Sequence, residues 1–210
     1  MSGEGACAAI VGGAGPLLEQ LVEQLGVAVA RIDPRQLAER PPAERWSDDA
    51  LVWMHFVPAA GAGGELEEAT LLLRSAEAAR AAAAQAGAAL TFVALLPSQG
   101  LIAGAPGLAC ELARGALDAL LRSEIGDWSA RGDRILGLVY GAIEGHALPG
   151  QRDPETVRRR TPIGALASVG QLADALRYLG SRRAAYVTGT VLHVDGGWRA
   201  YSWIYPARTI

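Results

Sequence analysis

Short apolar runs alternate with stretches of helical period along most of this chain, and that alternation limits its possible folds more than any other feature. Cys7 to Val11 is apolar and ends in Gly12-Gly13-Ala14-Gly15-Pro16. Leu17, Leu18, Leu21, Val22 and Leu25 then recur on one helix face, with Glu19, Gln20, Glu23 and Gln24 between them, so the segment reads as strand, glycine turn, helix. Val27 to Asp33 reads as a second strand closing on a carboxylate. Further strands are expected at Ala50–Val57, Ala89–Leu96, Arg134–Val139 and Thr190–Val194, and helices at Glu65–Ala86, Leu108–Ser129 and Val169–Leu179. Strands joined through helices require crossovers onto both faces of a parallel sheet, which predicts a doubly wound α/β domain. No repeat or low-complexity linker divides the 210 residues, so a single domain over 1–210 is expected.

Several function classes are disfavoured by composition. No apolar run approaches the roughly 20 residues that cross a bilayer, and Met1 to Gly5 carries no basic leader. Cys7 and Cys110 are the only cysteines, far apart and without metal-ligand spacing, which suits reduced thiols and predicts a cytoplasmic protein with no metal site. A net charge of -3 argues against nucleic acid as a partner. The triplet Arg158-Arg159-Arg160 reads as a solvated loop, with a phosphate contact as the alternative.

The chain contains no lysine and no asparagine, and the 19 residues of its Lys+Arg total are all arginine. Heavy use of alanine, glycine and arginine points to coding bias as the source. The chemical consequence stands regardless of origin: an arginine stays protonated and cannot replace a lysine that takes part in a proton relay.

Arg160-Thr161-Pro162-Ile163-Gly164, Leu172-Ala173-Asp174-Ala175 through Leu179, and Tyr186-Val187-Thr188-Gly189-Thr190 through Val194-Asp195-Gly196-Gly197-Trp198 closely resemble the C-terminal part of the short-chain dehydrogenase/reductase family. Gly104-Ala105-Pro106-Gly107-Leu108-Ala109 and Gly115 to Leu120 resemble the approach to the family's active-site helix and the helix itself. The resemblance implies a Rossmann-like sheet, a bound dinucleotide and an Asn-Ser-Tyr-Lys tetrad. It places Tyr-x-x-x-Lys at the start of the helix near Leu108, where this chain has Cys110-Glu111-Leu112-Ala113-Arg114. The five tyrosines lie from Tyr140 onward. Ser98 is a remnant of the family serine, and its better reading is a turn residue. Where the family has Asn-Asn-Ala-Gly, this chain has Trp53-Met54-His55-Phe56, bulky groups expected to fill cofactor space.

The dinucleotide turn departs from the family as well. Gly-x-x-x-Gly-x-Gly becomes Gly12, Pro16 and Leu18, which leaves Gly12, Gly13 and Gly15 as vestiges and puts a leucine where close approach is needed. Asp33 stands where the ribose carboxylate would be and is equally an ordinary turn residue. About fifteen residues join the second strand to Ala50, where the family fits a further helix and strand. The lid stretch Gly141–Arg160 is short as well.

The regions left intact are those that form subunit interfaces in tetrameric members of the family: 65–86, 108–129 and 169–210. The last of these ends in the aromatic run Trp198, Tyr201, Trp203, Ile204 and Tyr205, costly to leave exposed. The expectation is a non-catalytic subunit that binds no cofactor itself and joins a catalytic paralogue carrying NAD in a heterotetramer. This pattern is similar to that of two-subunit dehydrogenases of 2-(α-hydroxybenzyl)succinyl-CoA. The alternatives are a ligand-sensing Rossmann module and an enzyme of other chemistry using Cys110 as nucleophile or His55 as base.

Overall fold

The computed structural model describes residues 7–12, 15–26, 28–33, 50–57, 66–98, 108–146 and 153–200. Six strands form one sheet in the order β2-β1-β3-β4-β5-β6, with every pairing parallel. They are β1 (Cys7–Val11), β2 (Ala28–Ile32), β3 (Ala50–Phe56), β4 (Ala89–Pro97), β5 (Arg134–Tyr140) and β6 (Thr190–Val194). Six helices accompany them among the described residues: α1 (Pro16–Leu25), α2 (Glu67–Ala86), α3 (Leu108–Ser123), α4 (Ile125–Ala130), α5 (Pro154–Arg160) and α6 (Val169–Gly180).

Both faces of the sheet are covered, as the alternating pattern predicts. Along β3, Trp53 enters one core with the α2 and α3 residues Leu72, Ala76, Ala79, Ala113 and Leu117. Val52, Met54 and Phe56 enter the other, with Leu18, Leu21 and Leu25 of α1 and Leu172, Leu176 and Leu179 of α6. Adjacent strand residues thus feed opposite layers, which is why the central strands read as continuous apolar runs. The chain passes from β1 outward to β2 and then back to β3 on β1's other side. The strand order therefore reverses between β1 and β3, and ligand crevices form beyond the carboxyl ends of strands at such a point.

Polar side chains tie the layers together. Trp53 of β3 donates its indole N–H to Ser75 Oγ of α2 at 2.8 Å. Asp133, fully buried, accepts from the Leu90 amide at 2.8 Å and from Arg131 at 3.0 Å, joining the starts of β4 and β5. Arg177 of α6 donates to the Gln24 and Leu25 carbonyls at the end of α1, a cation placed at the negative pole of that helix.

Two sequence expectations need correction. The helix expected over Leu108–Ser129 is two helices, broken at Glu124. Ser123 Oγ turns back to the Ala119 carbonyl at 2.8 Å, a bond that bends helices. The bend brings Trp128 into the core edge-on to Phe92 at 5.9 Å, with Arg80 over its ring. The triplet Arg158–Arg160 is not a loop but the last turn of α5. Asp153 caps that helix by accepting from the Thr156 amide, and Glu155 pairs with Arg158 and Arg159 at 2.7 and 2.9 Å. Gly13, the connection 34–49, residues 147–152 of the lid stretch and the tail 201–210 lie outside the described residues. Among the described residues no helix is long and apolar enough to cross a membrane.

Candidate functional site

The C-terminal ends of β1, β3, β4 and β5 meet the N-terminal ends of α1, α2 and α3, and the candidates Gly12, Gly15, His55, Ser98, Cys110 and Arg114 fall here, whereas Asp33 and Arg158–Arg160 do not. Ser98 is buried directly after β4. Its neighbour Pro97 offers the carbonyl to which Cys110 Sγ donates at 3.7 Å. The fold thus brings Ser98 and Cys110 to one place, at the end of β4 and the start of α3. Tyr140, the last residue of β5, is buried beside them and stacks on Phe56 of β3 with ring centroids 6.0 Å apart.

None of these groups is poised to exchange a proton near neutral pH. Burial, then the carboxylates of Glu111 and Glu68, push the Cys110 thiol up to about 12 against a smaller opposing pull from Arg114. The thiol is therefore protonated and donating, the opposite of a nucleophile's state. Burial, and then Cys110, push the Tyr140 phenol above its ordinary range, so this tyrosine cannot replace the one absent from α3. Arg114, one turn beyond Cys110, is paired with Asp118 at 3.6 Å. Its guanidinium is a permanent charge and holds no exchangeable proton for a relay.

His55 is the group whose position sequence reasoning understated. It sits on β3 opposite Val11 and Ala94, fully buried, and neither ring nitrogen has a hydrogen-bond partner. Burial alone lowers it from 6.5 to about 3, so it is a neutral imidazole with an unsatisfied donor and an unsatisfied acceptor. The alternation Trp53, His55, Val57 within an apolar run was the available signal that its side chain points inward.

The turn after β1 is set by packing. Gly12 has φ +85°, and a Cβ there would lie 2.5 Å from the Phe56 carbonyl oxygen and 3.9 Å from His55 Cε1. Gly15, which caps α1, has φ +137° and no crowding. Leu18 corrects another expectation: its side chain is buried in the core beneath α1 rather than standing in the crevice. Trp53 and Met54 are likewise core residues, so of the four bulky residues only His55 and Phe56 border the turn. Asp33 follows β2 and is exposed, one strand removed from these groups. Among the described residues no cluster of three or more His, Cys, Asp or Glu could hold a metal ion.

The contact at Gly12 makes a prediction. Gly12→Ala meets both a left-handed backbone and a backbone oxygen that cannot move independently of β3, and a stability loss of about 2 kcal/mol or more is expected. Gly15→Ala faces the backbone term alone and should lose less. Urea denaturation of the two variants measures the difference, and equal losses would mean that the Phe56 approach is unimportant.

Residues 68–199 match the family described as Enoyl-(Acyl carrier protein) reductase. An uncharacterized short-chain type dehydrogenase/reductase of Sinorhizobium fredii is 33% identical over 117 residues, 53% of this chain and 21% of that protein. Two Xanthobacter autotrophicus proteins are each 36% identical. Inactive 2-(S)-hydroxypropyl-CoM dehydrogenase 2 matches over 47% of both chains, and 2-(S)-hydroxypropyl-CoM dehydrogenase 3 over 42% of this chain and 38% of its own. The chain thus covers less than half the length of each of these curated relatives. The crystal structure of an oxidoreductase of the short-chain dehydrogenase/reductase family from Burkholderia thailandensis superposes with TM-score 0.71 at 20% identity, covering 95% of each chain. That likeness speaks for the fold alone.

Proposed function

The chain belongs to the short-chain dehydrogenase/reductase family, and from that premise we propose that it is a non-catalytic subunit of a hetero-oligomeric dehydrogenase. A catalytic paralogue carries NAD and the tetrad, and this chain stabilises or shapes it. The observation that carries the reading is the state of α3 where the family needs a pKa-lowered tyrosine and a lysine. A buried, protonated thiol and an ion-paired arginine stand there instead. Similarity cannot make this distinction, since the chain is equally identical to a relative named inactive and to one that is not.

The cofactor reading rests on the same end of the sheet. Two features support the absence of a bound dinucleotide: His55 and Phe56 stand beside the turn at Gly12 where the family resemblance has smaller groups, and no lysine exists to hold a ribose. The assembly reading is supported by what the surface leaves uncovered. Of the six large apolar side chains exposed among the described residues, Leu66, Leu73 and Leu108 lie on α2 and α3 or at their ends, and Tyr178 and Tyr186 lie on α6 and beyond it. Five of the six therefore fall within the two expected interfaces, leaving Ile163 aside. A hydroxyacyl-CoA thioester such as 2-(α-hydroxybenzyl)succinyl-CoA is the substrate class proposed for the partner.

Co-expression with a tetrad-bearing paralogue from the same host tests the proposal, with light scattering after size exclusion as the readout. A hetero-oligomer of defined mass is expected. Homotetramers of this chain with no mixed species would overturn it.

A further inference from the structure

We propose that His193 and Arg199 form a proton-operated latch on the edge strand β6, fastening the chain just before its aromatic terminus. Arg199 Nη1 lies 3.0 Å from His193 Nε2. A guanidinium has only hydrogens to offer and does not give up its proton, so the imidazole nitrogen must be the acceptor. His193 is then neutral, with its hydrogen on Nδ1. That atom is buried with no hydrogen-bond partner, and Asp195 Oδ2 is 4.0 Å away, too far for a bond. Asp195 meanwhile receives the Gly197 amide at 2.9 Å and the Arg199 amide at 3.0 Å. Arg199 is thus held twice, by its main chain to Asp195 and by its side chain to His193.

One proton undoes the second hold. Protonation of Nε2 consumes the lone pair that accepts from Arg199 and sets two cations 3.0 Å apart. The guanidinium must leave, and the imidazolium is drawn toward Asp195. The groups that act on the ring from its surroundings are Arg199 and Asp195 from the continuation of β6, and Arg114 from α3. Burial disfavours the charged ring first, Arg199 and Arg114 add to that, and Asp195 opposes it. The released guanidinium has an acceptor within electrostatic reach on α3: Glu111, whose Oε1 is buried without a partner. The proton therefore moves Arg199 from the edge strand toward α3. Residues 169–210 are one of the two surfaces assigned above to assembly, so this surface becomes pH-sensitive; that consequence rests on the assembly reading, whereas the latch is a property of the chain alone.

Nitrogen-15 NMR of the His193 ring in the isolated chain, titrated between pH 8 and pH 4, tests it. The neutral ring should carry its hydrogen on Nδ1 and titrate below the ordinary histidine range. Arg199→Met should raise the midpoint, since the facing charge is gone. Amide exchange at Arg199, corrected for the intrinsic effect of pH, supplies the second readout. Protection should fall as His193 titrates in the wild type and persist in His193→Gln, whose amide oxygen accepts from Arg199 at every pH. A wild-type ring with its hydrogen on Nε2, an unchanged midpoint in Arg199→Met, or identical loss of protection in wild type and His193→Gln would overturn the latch. A latch that titrates as expected in a chain that forms no hetero-oligomer would sink the assembly reading and leave the latch standing.

Discussion

Replacing Arg134 with methionine is expected to lower the stability of the chain by about 3 kcal/mol. Arg134 opens β5, and its guanidinium donates to four acceptors. Nη1 reaches the Ala184 and Val187 carbonyls at 3.0 and 3.3 Å, and Nη2 reaches Thr91 Oγ1 and the Leu179 carbonyl at 2.7 and 2.8 Å. One side chain therefore fastens the end of α6 and the turn before β6 to the sheet. Methionine keeps the apolar stem and takes the guanidinium donors from Thr91 Oγ1 and from the Leu179 and Val187 carbonyls, while the Ala184 carbonyl keeps the Val187 amide; Thr91 and Leu179 are buried. Hydrogen bonds to a charged group contribute about 1.5–3 kcal/mol each, but their loss is not additive and the Ala184 carbonyl keeps another donor, so a loss well below the sum of the four is expected. Arg134→Lys should recover only part of the loss, because an ammonium has three donors on a point rather than a planar fork. Urea midpoints of the two variants give the answer. A methionine variant as stable as the parent would show that α6 is held by its apolar face alone.

The second large effect comes from His55 and appears as a dependence on pH. The folded chain keeps this imidazole neutral down to about pH 3, while the unfolded chain takes up a proton near pH 6.5. Between those values the unfolded state binds more protons, so stability falls as pH falls, by at most about 1.4 kcal/mol per pH unit. Above pH 6.5 this residue contributes no slope. His55→Leu removes the titration and also removes two buried nitrogens that have no partners. It should therefore be more stable than the parent at pH 7, by about 1–3 kcal/mol, with the gap widening toward pH 4. Thermal unfolding of both proteins from pH 8 to pH 4 shows whether the curves diverge. Parallel curves would mean that the imidazole finds a partner or a water in solution.

These two residues also mark where the sequence stopped being informative. The strands were legible because a parallel strand buried on both faces must be largely apolar, and Ala50–Phe56 and Ala89–Pro97 are, apart from His55 and Thr91. The glycines that end α1 and α2, Gly26 and Gly87, were not used in the sequence reading, and both are left-handed caps. Helix α5 was missed although Asp153-Pro154 is a capping residue followed by proline at the first helical position; seven residues are too few to show a period. The break at Glu124 rests on one hydroxyl turning back to a carbonyl four residues earlier, which no spacing rule detects. Arg134 read only as the first residue of a strand, since its acceptors come from Thr91 and from residues 179 to 187, far away in sequence. At the site, the residue substitutions at 110 and 114 were legible one by one. The burial that holds Cys110 protonated and leaves His55 unpartnered required the packed sheet and helices.

The central claim is that this chain has kept the family's fold without its own hydride chemistry, and calorimetric titration with NAD(H) and NADP(H) tests it most directly. The account predicts no saturable heat from either dinucleotide with the purified chain, because His55 and Phe56 border the turn at Gly12 and no lysine is present to hold a ribose. Saturable binding with a submillimolar Kd would contradict it.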